Sequence, residues 1–488
     1  VVVNAGTSLS DNSSDLLGYG GPIRDTGVPN VFNVFDLDNA KKRATQEGWE
    51  EMTQSIFASA EIGWKSMLYL TLTGRNDWAS QLKGSNPTSF FYPSVGLSAV
   101  ISEMVTLPKA IDYLKVRGSF SAVGTPYPRF LVQPTYSYDP TKQDWNAKTH
   151  YPIGKLKPER TDSWEIGVDG TFFKDFKVSG SFYYANTYNQ TFDPKITVSS
   201  GYSTLYVQTG YVRNLGVEGL LSYGHTWRDF GWNSNFTFSW NKNKIVELVK
   251  DYVHPETGEI VNKDRLELKG LGYTKFILKE GGTLGDLYTN ADFIRDDKGY
   301  IQIDKNGDVA KTDNLPDIKL GSVFPKANLA WNNSFSYKGI YVGFQLSARL
   351  GGIVYSATQA ALDQYGVSEA SAAARDRGGV LVNGRSWVNA QQYYEIVATS
   401  SGLPQYYTYS ATNLRLQEAH IGYTIPRKWL GNICDINVSV VGRNLWMIYC
   451  KAPFDPEAIA TTNNFYQGID YFMMPSTRNF GFNVKINF

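Results

Sequence analysis

The segment Asn479-Phe480-Gly481-Phe482-Asn483-Val484-Lys485-Ile486-Asn487-Phe488 decides the fold of this 488-residue chain. Every even position in it is apolar, and every odd position is polar or glycine. Because successive side chains of a strand point to opposite faces, this alternation predicts a β-strand with one apolar face and one polar face. The pattern alone leaves open which of the two faces meets water.

The same alternation recurs along the chain in segments of similar length. Between Ile340 and Leu350, for example, Phe344 and Leu346 alternate with Gln345 and Ser347. Such segments have the ~9–11 residues with which a tilted strand crosses the hydrocarbon layer of a membrane. Roughly thirteen strands are predicted, at about 51–63, 66–79, 90–103, 114–122, 164–172, 177–191, 216–228, 231–241, 327–338, 340–350, 414–425, 436–449 and 479–488.

Composition narrows the class of protein to an all-β protein. Aromatic residues make up 14% of the chain, and 45 glycines favour turns between strands. The net charge of +1 offers no basic field for nucleic acid. A mean hydropathy of −0.31, without an apolar run of 18 residues, argues against a transmembrane helix. Two architectures remain, a soluble β-protein and a membrane β-barrel.

The lengths of the connections favour the barrel. Long connections, at about 124–161, 192–215, 247–326, 356–413 and 450–476, alternate with short ones such as Lys338-Gly339. A bacterial outer-membrane barrel has long loops on its extracellular side and tight turns on its periplasmic side. The parity predicts a transmembrane antiparallel β-barrel whose long loops are extracellular and whose short turns are periplasmic.

A series of short motifs is spread across most of the chain. They are 72–78 (LTGRNDW), 91–98 (FYPSVGLS), 113–119 (YLKVRGS), 156–161 (LKPERT), 165–169 (EIGVD), 284–288 (LGDLY), 414–416 (LRL), 421–426 (IGYTIP), 442–445 (GRNL) and 455–457 (DPE). In type and in order these motifs resemble those of the SusC/RagA family of TonB-dependent outer-membrane transporters of Bacteroidetes.

The resemblance implies a barrel of about 22 strands in the complete protein, a size class whose lumen is plugged. Residues 1–488 are then expected to form the C-terminal part of that barrel, with the plug and the first strands outside this chain. An odd count of thirteen strands and an opening Val1-Val2-Val3 without signal-peptide features point the same way. The implied location is the outer membrane of a Gram-negative bacterium.

The resemblance also implies function and partners. The expected activity is TonB-dependent import of oligosaccharides or oligopeptides, with a SusD-like surface lipoprotein as a lid. TonB would act through the plug segment. Lipid and lipopolysaccharide would surround the barrel. Two transporter–lipoprotein pairs would associate as a dimer.

The extracellular loops hold the candidate substrate-binding residues, because aromatic rings offer apolar area to a sugar face or a peptide side chain. Packing of these loops on one another, or on the lipoprotein, is the competing interpretation. Two roles are likewise open for the inward polar residues: contact with the plug or the barrel wall, or contact with the solute. These residues include Lys115, Arg117, Arg349, Asn483 and Lys485. The loop candidates are Trp145, Tyr393, Tyr394, Tyr406, Tyr407, Phe465 and Tyr466.

No catalytic, metal or cofactor site is predicted. The two cysteines, Cys434 and Cys450, are separated by about one strand length, and the four histidines lack ligand spacing. Asp304-Lys305-Asn306-Gly307-Asp308 places its glycine too early for an EF-hand loop, so a turn is the preferred interpretation. The functional alternatives are an outer-membrane barrel hydrolase or protease, and a soluble all-β carbohydrate-binding protein that buries Trp232, Phe236 and Phe480.

Overall fold

The structure is a computed structural model. It describes residues 1–25, 31, 33–85, 87–131, 137–139, 144–146, 157–192, 207–253, 258, 260–462 and 467–487.

One antiparallel sheet of 14 strands dominates the chain, and each strand pairs with its neighbours in chain order. We number these strands β1 to β14. Their bounds are β1 Val2–Gly20, β2 Arg43–Trp64, β3 Leu68–Ala79, β4 Phe90–Val100, β5 Ile111–Thr125, β6 Glu159–Phe172, β7 Phe176–Phe192, β8 Val207–Trp227, β9 Phe230–Glu247, β10 Ala327–Tyr337, β11 Ile340–Leu350, β12 Asn413–Ile425, β13 Asp435–Cys450 and β14 Asn479–Asn487.

The all-β fold class is confirmed, and so are the thirteen predicted strands. The sequence missed β1, which pairs with β2 along its whole length. Its segment 8–15 (SLSDNSSD) contains one apolar residue, so it reads as a loop and shows no alternation. Pairing with β2 supplies the backbone hydrogen bonds that its side-chain pattern does not predict.

Connections alternate in length as predicted. The turn between β10 and β11 consists of Lys338 and Gly339, both with positive φ, at 45° and 91°. Two central residues of this kind form the tight hairpin turn whose twist matches the strands it joins. The long connections 248–326, 351–412 and 451–478 lie at the other end of the strands.

The register separates the two faces of the sheet. Phe236 lies opposite Leu221 and Trp331, whereas the preceding residue, Asn235, lies opposite Ser222 and Asn332. Apolar and polar rows therefore alternate from strand to strand. The apolar rows are open to the surroundings, since Phe236 is 39% exposed and Phe480 is 75% exposed. The soluble alternative required Trp232, Phe236 and Phe480 to be buried; Trp232 is half-buried, but Phe236 and Phe480 are exposed, so that expectation is wrong for these two residues.

The connections between the sheet strands have secondary structure of their own. The helices are α1 Ile101–Met104, α2 Ala357–Gln364, α3 Glu369–Asp376 and α4 Ala390–Val397, with 3-10 turns at Val34–Asp36, Ser80–Leu82, Pro404–Tyr407 and Arg427–Leu430. The short strands are Ser137–Asp139, Asp144–Asn146, Val249–Val253, Ile260–Lys263, Arg265–Lys269, Lys275–Lys279, Asp286–Thr289, Asp292–Phe293, Lys311–Thr312, Ile318–Ser322, Ile353–Ser356, Val380–Val382, Ser386–Val388, Thr408–Ser410 and Ile469–Asp470. Among the described residues, no helix is long and apolar enough to cross a membrane.

The largest hydrophobic core lies in the long connections rather than against the sheet. We call this folded unit, built from 248–326, 351–412 and 451–478, the loop body. Its buried residues come from all three connections and are Phe276, Leu287, Ala291, Phe293, Val309, Val323, Tyr355, Ala360, Val382, Val388, Val397, Ala398, Leu403, Tyr407 and Ile469. The described residues of these three connections therefore form one packed domain.

Candidate functional site

Polar contacts join the three connections of the loop body. The Ser356 hydroxyl caps helix α2 by accepting the Gln359 amide at 2.9 Å, and it also donates to the buried Asp470 carboxylate. Asn383 bonds Ile301 in both directions, accepting from its amide at 2.9 Å and donating to its carbonyl at 2.8 Å. The Ser356–Asp470 and Asn383–Ile301 contacts each join two different connections, so the body is cross-linked as one unit.

Lys311, in the connection 248–326, forms hydrogen bonds with the C-terminal end of helix α4 and the residues that follow it. Its ammonium group donates to the carbonyls of Ile396, at 3.3 Å, and Ser401. A cation at a helix C-terminus is favourable because the last carbonyls carry partial negative charge. Burial lowers the pKa of Lys311, and the nearby Asp313 opposes that shift.

The tyrosines predicted to bind substrate differ in how far their rings are buried. The ring of Tyr407 is buried, and its hydroxyl donates to Asp363 at 2.9 Å. Burial raises its pKa, and the Asp363 carboxylate adds to that shift. Tyr393 packs against Phe293, with ring centroids 6.2 Å apart, and burial raises its pKa to about 12. Both hydroxyls are therefore neutral hydrogen-bond donors at physiological pH.

Tyr406 and Trp145 are exposed, whereas Tyr394 is half-buried like Tyr393. Tyr406 is 41% exposed and meets Phe293 edge-on at 5.3 Å. Trp145 is 64% exposed on a short hairpin and stacks edge-on against Tyr138, with centroids 5.3 Å apart. Phe465 and Tyr466 lie outside the described residues. Ligand contact by any of the seven stays a prediction.

Tyr394 lines a crevice of about 300 Å³ between helices α2, α3 and α4. The crevice combines aromatic, amide and charged groups, which suit a polar oligomer better than a purely apolar ligand. Sequence reasoning identified Tyr394 but missed the rest, because three separate helices bring these residues together. The lining residues are Asp363, Gln364, Tyr365, Gly366, Ser371, Arg375, Ala390, Gln391, Tyr394 and Glu395.

The inward polar face carries charge pairs between motifs that are far apart in sequence. Arg117 of the 113–119 motif bonds Glu165 of the 165–169 motif, and its Nε lies 3.5 Å from Asp169. Arg117 thus makes a contact within the barrel wall, one of the roles expected for the inward polar residues. The adjacent cavity, of about 400 Å³, is lined by polar groups that include Ser179, Ser181, Glu218, Thr237, Ser239 and Asn328.

A second motif pair lies on strands β3 and β4. Arg75 bonds Asp77 at 2.7 Å and donates to the Ser55 hydroxyl at 2.8 Å. The Tyr92 hydroxyl donates to the same Asp77 carboxylate. The 72–78 and 91–98 motifs therefore form one network across three strands.

A third motif pair ties the loop body to the sheet. Arg415 is 5% exposed and forms a two-pronged bond with Asp455, at 2.8 and 3.2 Å. It also lies 3.1 Å from Glu457. Burial works to raise the pKa of Asp455, but hydrogen bonds from Arg415 and other groups outweigh it, and the pKa is lowered. The 414–416 motif thereby anchors the 455–457 motif.

Within the part of the chain that the structure describes, no three His, Cys, Asp or Glu side chains are grouped to hold a metal ion. Residues 304–308 form the predicted turn, in which the Asp304 carboxylate accepts the amides of Asn306 and Asp308, at 2.8 and 2.9 Å. Cys434 and Cys450 are free and lie at opposite ends of β13.

Comparison with known proteins places this geometry among membrane barrels. Residues 3–445 match the family described as TonB dependent receptor-like, beta-barrel. TonB-dependent receptor P3 of Formosa agariphila is 24% identical over 463 aligned positions, in an alignment that covers 88% of this chain and 45% of that protein. TonB-dependent receptor SusC of Bacteroides thetaiotaomicron is 24% identical over 246 aligned positions, in an alignment that covers 45% of this chain and 24% of that protein.

Among solved structures, the RagAB peptide importer in the open-open state has the same fold. It matches with a TM-score of 0.74 at 17% identity, over all of this chain and 52% of that one. The chain thus spans about half the length of the proteins it matches. These matches confirm the resemblance that the sequence motifs carry.

Proposed function

The chain belongs to the family of TonB-dependent receptor-like β-barrels, and on that premise we propose that it forms the C-terminal part of a nutrient importer. The importer would take up oligosaccharides or oligopeptides across the outer membrane of a Gram-negative bacterium. The rest of the barrel and the plug, through which TonB would act, are proposed to belong to the remainder of the protein. A barrel of this family is a conduit, so we propose no enzymatic step.

The two-faced sheet carries the proposal. The apolar rows give a membrane-facing surface, exemplified by Ile166 at 65% exposure and Phe480 at 75%. The opposite face carries Arg117, Glu165 and Asp169, which suit a wet lumen. Both sheet edges support a larger barrel, because β1 and β14 each pair with one neighbour among the described strands. An unpaired edge in lipid would cost several kcal/mol for each orphan backbone group.

The loop body is the proposed capture surface. It lies at the long-loop end of the strands, where it would meet solute first, and its crevice near Tyr394 presents both rings and charges. We propose that a SusD-like lipoprotein covers this body and that transporter–lipoprotein pairs associate as dimers. Loop chemistry accommodates sugar and peptide alike, since rings, amides and hydroxyls bind both.

Uptake in the bacterium that encodes the protein tests the proposal. The full-length gene is deleted and restored, and uptake of labelled oligosaccharides and oligopeptides is measured with and without functional TonB. We expect one class of oligomer to require both the gene and TonB. Uptake of every oligomer that is unaffected by the deletion would contradict import.

The crevice is tested by Tyr394→Ala, with Trp387→Ala as the matched control. Trp387 is an aromatic residue of the same connection, 56% exposed, and it does not line the crevice. We expect the Tyr394 variant alone to raise the solute concentration needed for half-maximal uptake. Equal behaviour of the two variants would remove the crevice from the capture surface.

The barrel-hydrolase alternative predicts a different result. Detergent-solubilised protein, free of its lipoprotein partner, would hydrolyse esters or peptides under that alternative. We expect no turnover above a buffer control, and turnover that survives repurification would replace the import proposal.

A further inference from the structure

The wall of the sheet has a slot near its long-loop end. Strand β9 pairs with β10 as far as Trp240, which lies opposite Ala327, and β9 then continues past the start of β10. Beside this overhang lies a cavity of about 570 Å³. It is lined by Trp240, Asn241, Lys242, Asn243, Thr283, Ser322, Phe324, Pro325, Lys326, Gly351, Gly352 and Ile353.

The slot opens beside the apolar face of the sheet. Trp240 lies opposite Val217, which lies opposite Phe182, and these three share one row. Phe182 is 45% exposed on that face. Because side chains alternate along a strand, Lys242 projects to the same face one step further toward the loops. The slot is therefore adjacent to the surface that we assign to lipid.

The lining has an unbalanced charge. Lys242 and Lys326 are both exposed, and the lining contains neither Asp nor Glu. Across the ranges that the structure describes, neither lysine lies within 4.0 Å of a carboxylate. Two ammonium groups without counter-ions form a ready site for a phosphate group, which lysine binds as a point charge.

Backbone geometry holds one of these lysines in place. A Cβ atom added to Gly351 would lie 2.9 Å from the Cγ atom of Lys326, so the lysine stem packs directly over that glycine. Gly351 has a φ of +76° and Gly352 a φ of +81°, values that side-chain-bearing residues rarely adopt. Gly351 thus makes room for the stem of Lys326, and both residues line the slot.

From these observations we infer that the slot binds an anionic lipid of the outer leaflet. Its phosphate group would bind Lys242 and Lys326, and its apolar part would lie against Trp240, Phe324 and Ile353. A soluble anion would use only the lysines, whereas a phosphorylated lipid matches the charge, the apolar wall and the adjacent lipid-facing surface together. The inference rests on the outer-membrane location in the proposed function.

Binding of defined lipids to the full-length transporter in detergent tests the inference. The probes are bisphosphorylated lipid A, the same lipid after removal of both phosphates, and inorganic phosphate, each titrated by native mass spectrometry. We expect lipid A to bind more tightly than the other two. Equal binding of the dephosphorylated lipid, or equal binding of inorganic phosphate, would overturn the assignment to an anionic lipid.

Lysine variants locate the site. A lysine near a membrane surface changes affinity by about fivefold, so Lys242→Gln with Lys326→Gln should weaken lipid A binding roughly 25-fold. Lys244→Gln is the control, because Lys244 is two residues along β9 on the same face and outside the slot. Unchanged affinity in the double variant, or an equal loss in the control, would place the lipid elsewhere.

Two further measurements keep the outcomes separate. Heat-modifiable gel migration shows whether each variant is a folded barrel. If the double variant fails to assemble, the single variant Lys326→Gln replaces it in the binding measurement, because Lys326 lies before β10 and not within a sheet strand. Lipid binding is measured in the absence of solute. A negative result for nutrient uptake therefore does not change the result for lipid binding. Purification without detergent would instead refute the membrane location before any lipid is added.

Discussion

Replacing Phe344 with lysine tests which face of the sheet meets lipid. Phe344 is the fifth of eleven residues in β11, near the middle of the strand. Its ring centroid lies 5.9 Å from that of Trp331 and 6.5 Å from that of Phe335. A lysine on the lipid face costs ~2–4 kcal/mol near the bilayer midplane. Loss of the two ring contacts adds ~0.5–1.5 kcal/mol each.

The neighbouring residue provides the matched control. Gln345 lies opposite Asn332 and Glu418 on the polar face. A lysine there would project into water beside a carboxylate, so we expect a change of about 1 kcal/mol or less. Phe344→Leu, which keeps the position apolar, should lie between the two lysine variants.

Urea unfolding of the full-length barrel in lipid vesicles measures these differences, with gel migration before and after heating as a check on assembly. The expected order of destabilisation is Phe344→Lys, Phe344→Leu and then Gln345→Lys. Equal effects of the two lysine substitutions would refute the assignment of faces. A larger effect of Gln345→Lys would reverse it.

Three other substitutions or conditions probe the loop body. Arg415→Met should destabilise the contact with Asp455 and Glu457 by ~3–5 kcal/mol, because it leaves two carboxylates without their partner, and limited proteolysis within 451–478 would detect it. The lowered pKa of Asp455 means that its stabilisation is present above the unfolded value of about 4 and is lost as pH falls through the lower folded value, so protease resistance should drop in that acidic window in wild type. In Arg415→Met burial raises the pKa of Asp455 with less opposition, so this acidic drop should be weakened or reversed. Tyr407→Phe should cost ~1–3 kcal/mol by leaving the Asp363 carboxylate one donor short, whereas Tyr365→Phe, at a ring that is 75% exposed, should leave the melting temperature unchanged. Equal melting temperatures in those two variants would show that the buried hydroxyl contributes nothing.

Alternation was sufficient to predict most of the sheet. In β11 and β14 each residue's face follows from its position, because the side-chain period of a strand is two and a slip of one residue would reverse every side chain. The same rule fails for β1, whose polar residues carry no alternation. Its place in the sheet depends on pairing with β2, which lies 22 residues further along the chain.

The candidate site was less predictable than the sheet. Sequence reasoning proposed Tyr393, Tyr394, Tyr406 and Tyr407 alike as substrate-binding residues of the loops, but the structure buries Tyr407 on Asp363 and leaves Tyr406 exposed. Residues adjacent in sequence diverge here because a 3-10 turn points consecutive side chains in different directions. Which ring packs and which faces outward depends on partners from other connections.

The class of the protein is readable in its amino-acid order, because two-faced strands, alternating loop lengths and ordered motifs predict an antiparallel membrane barrel. Such features are local, since each depends on side-chain period and turn length. Contacts across the fold show the rest: three long connections form one cross-linked body, Arg415 binds Asp455, and two lysines line a slot beside Trp240. These features depend on contacts between residues that are tens to hundreds of positions apart in sequence. The local pattern of apolar and polar residues does not indicate which distant residues meet.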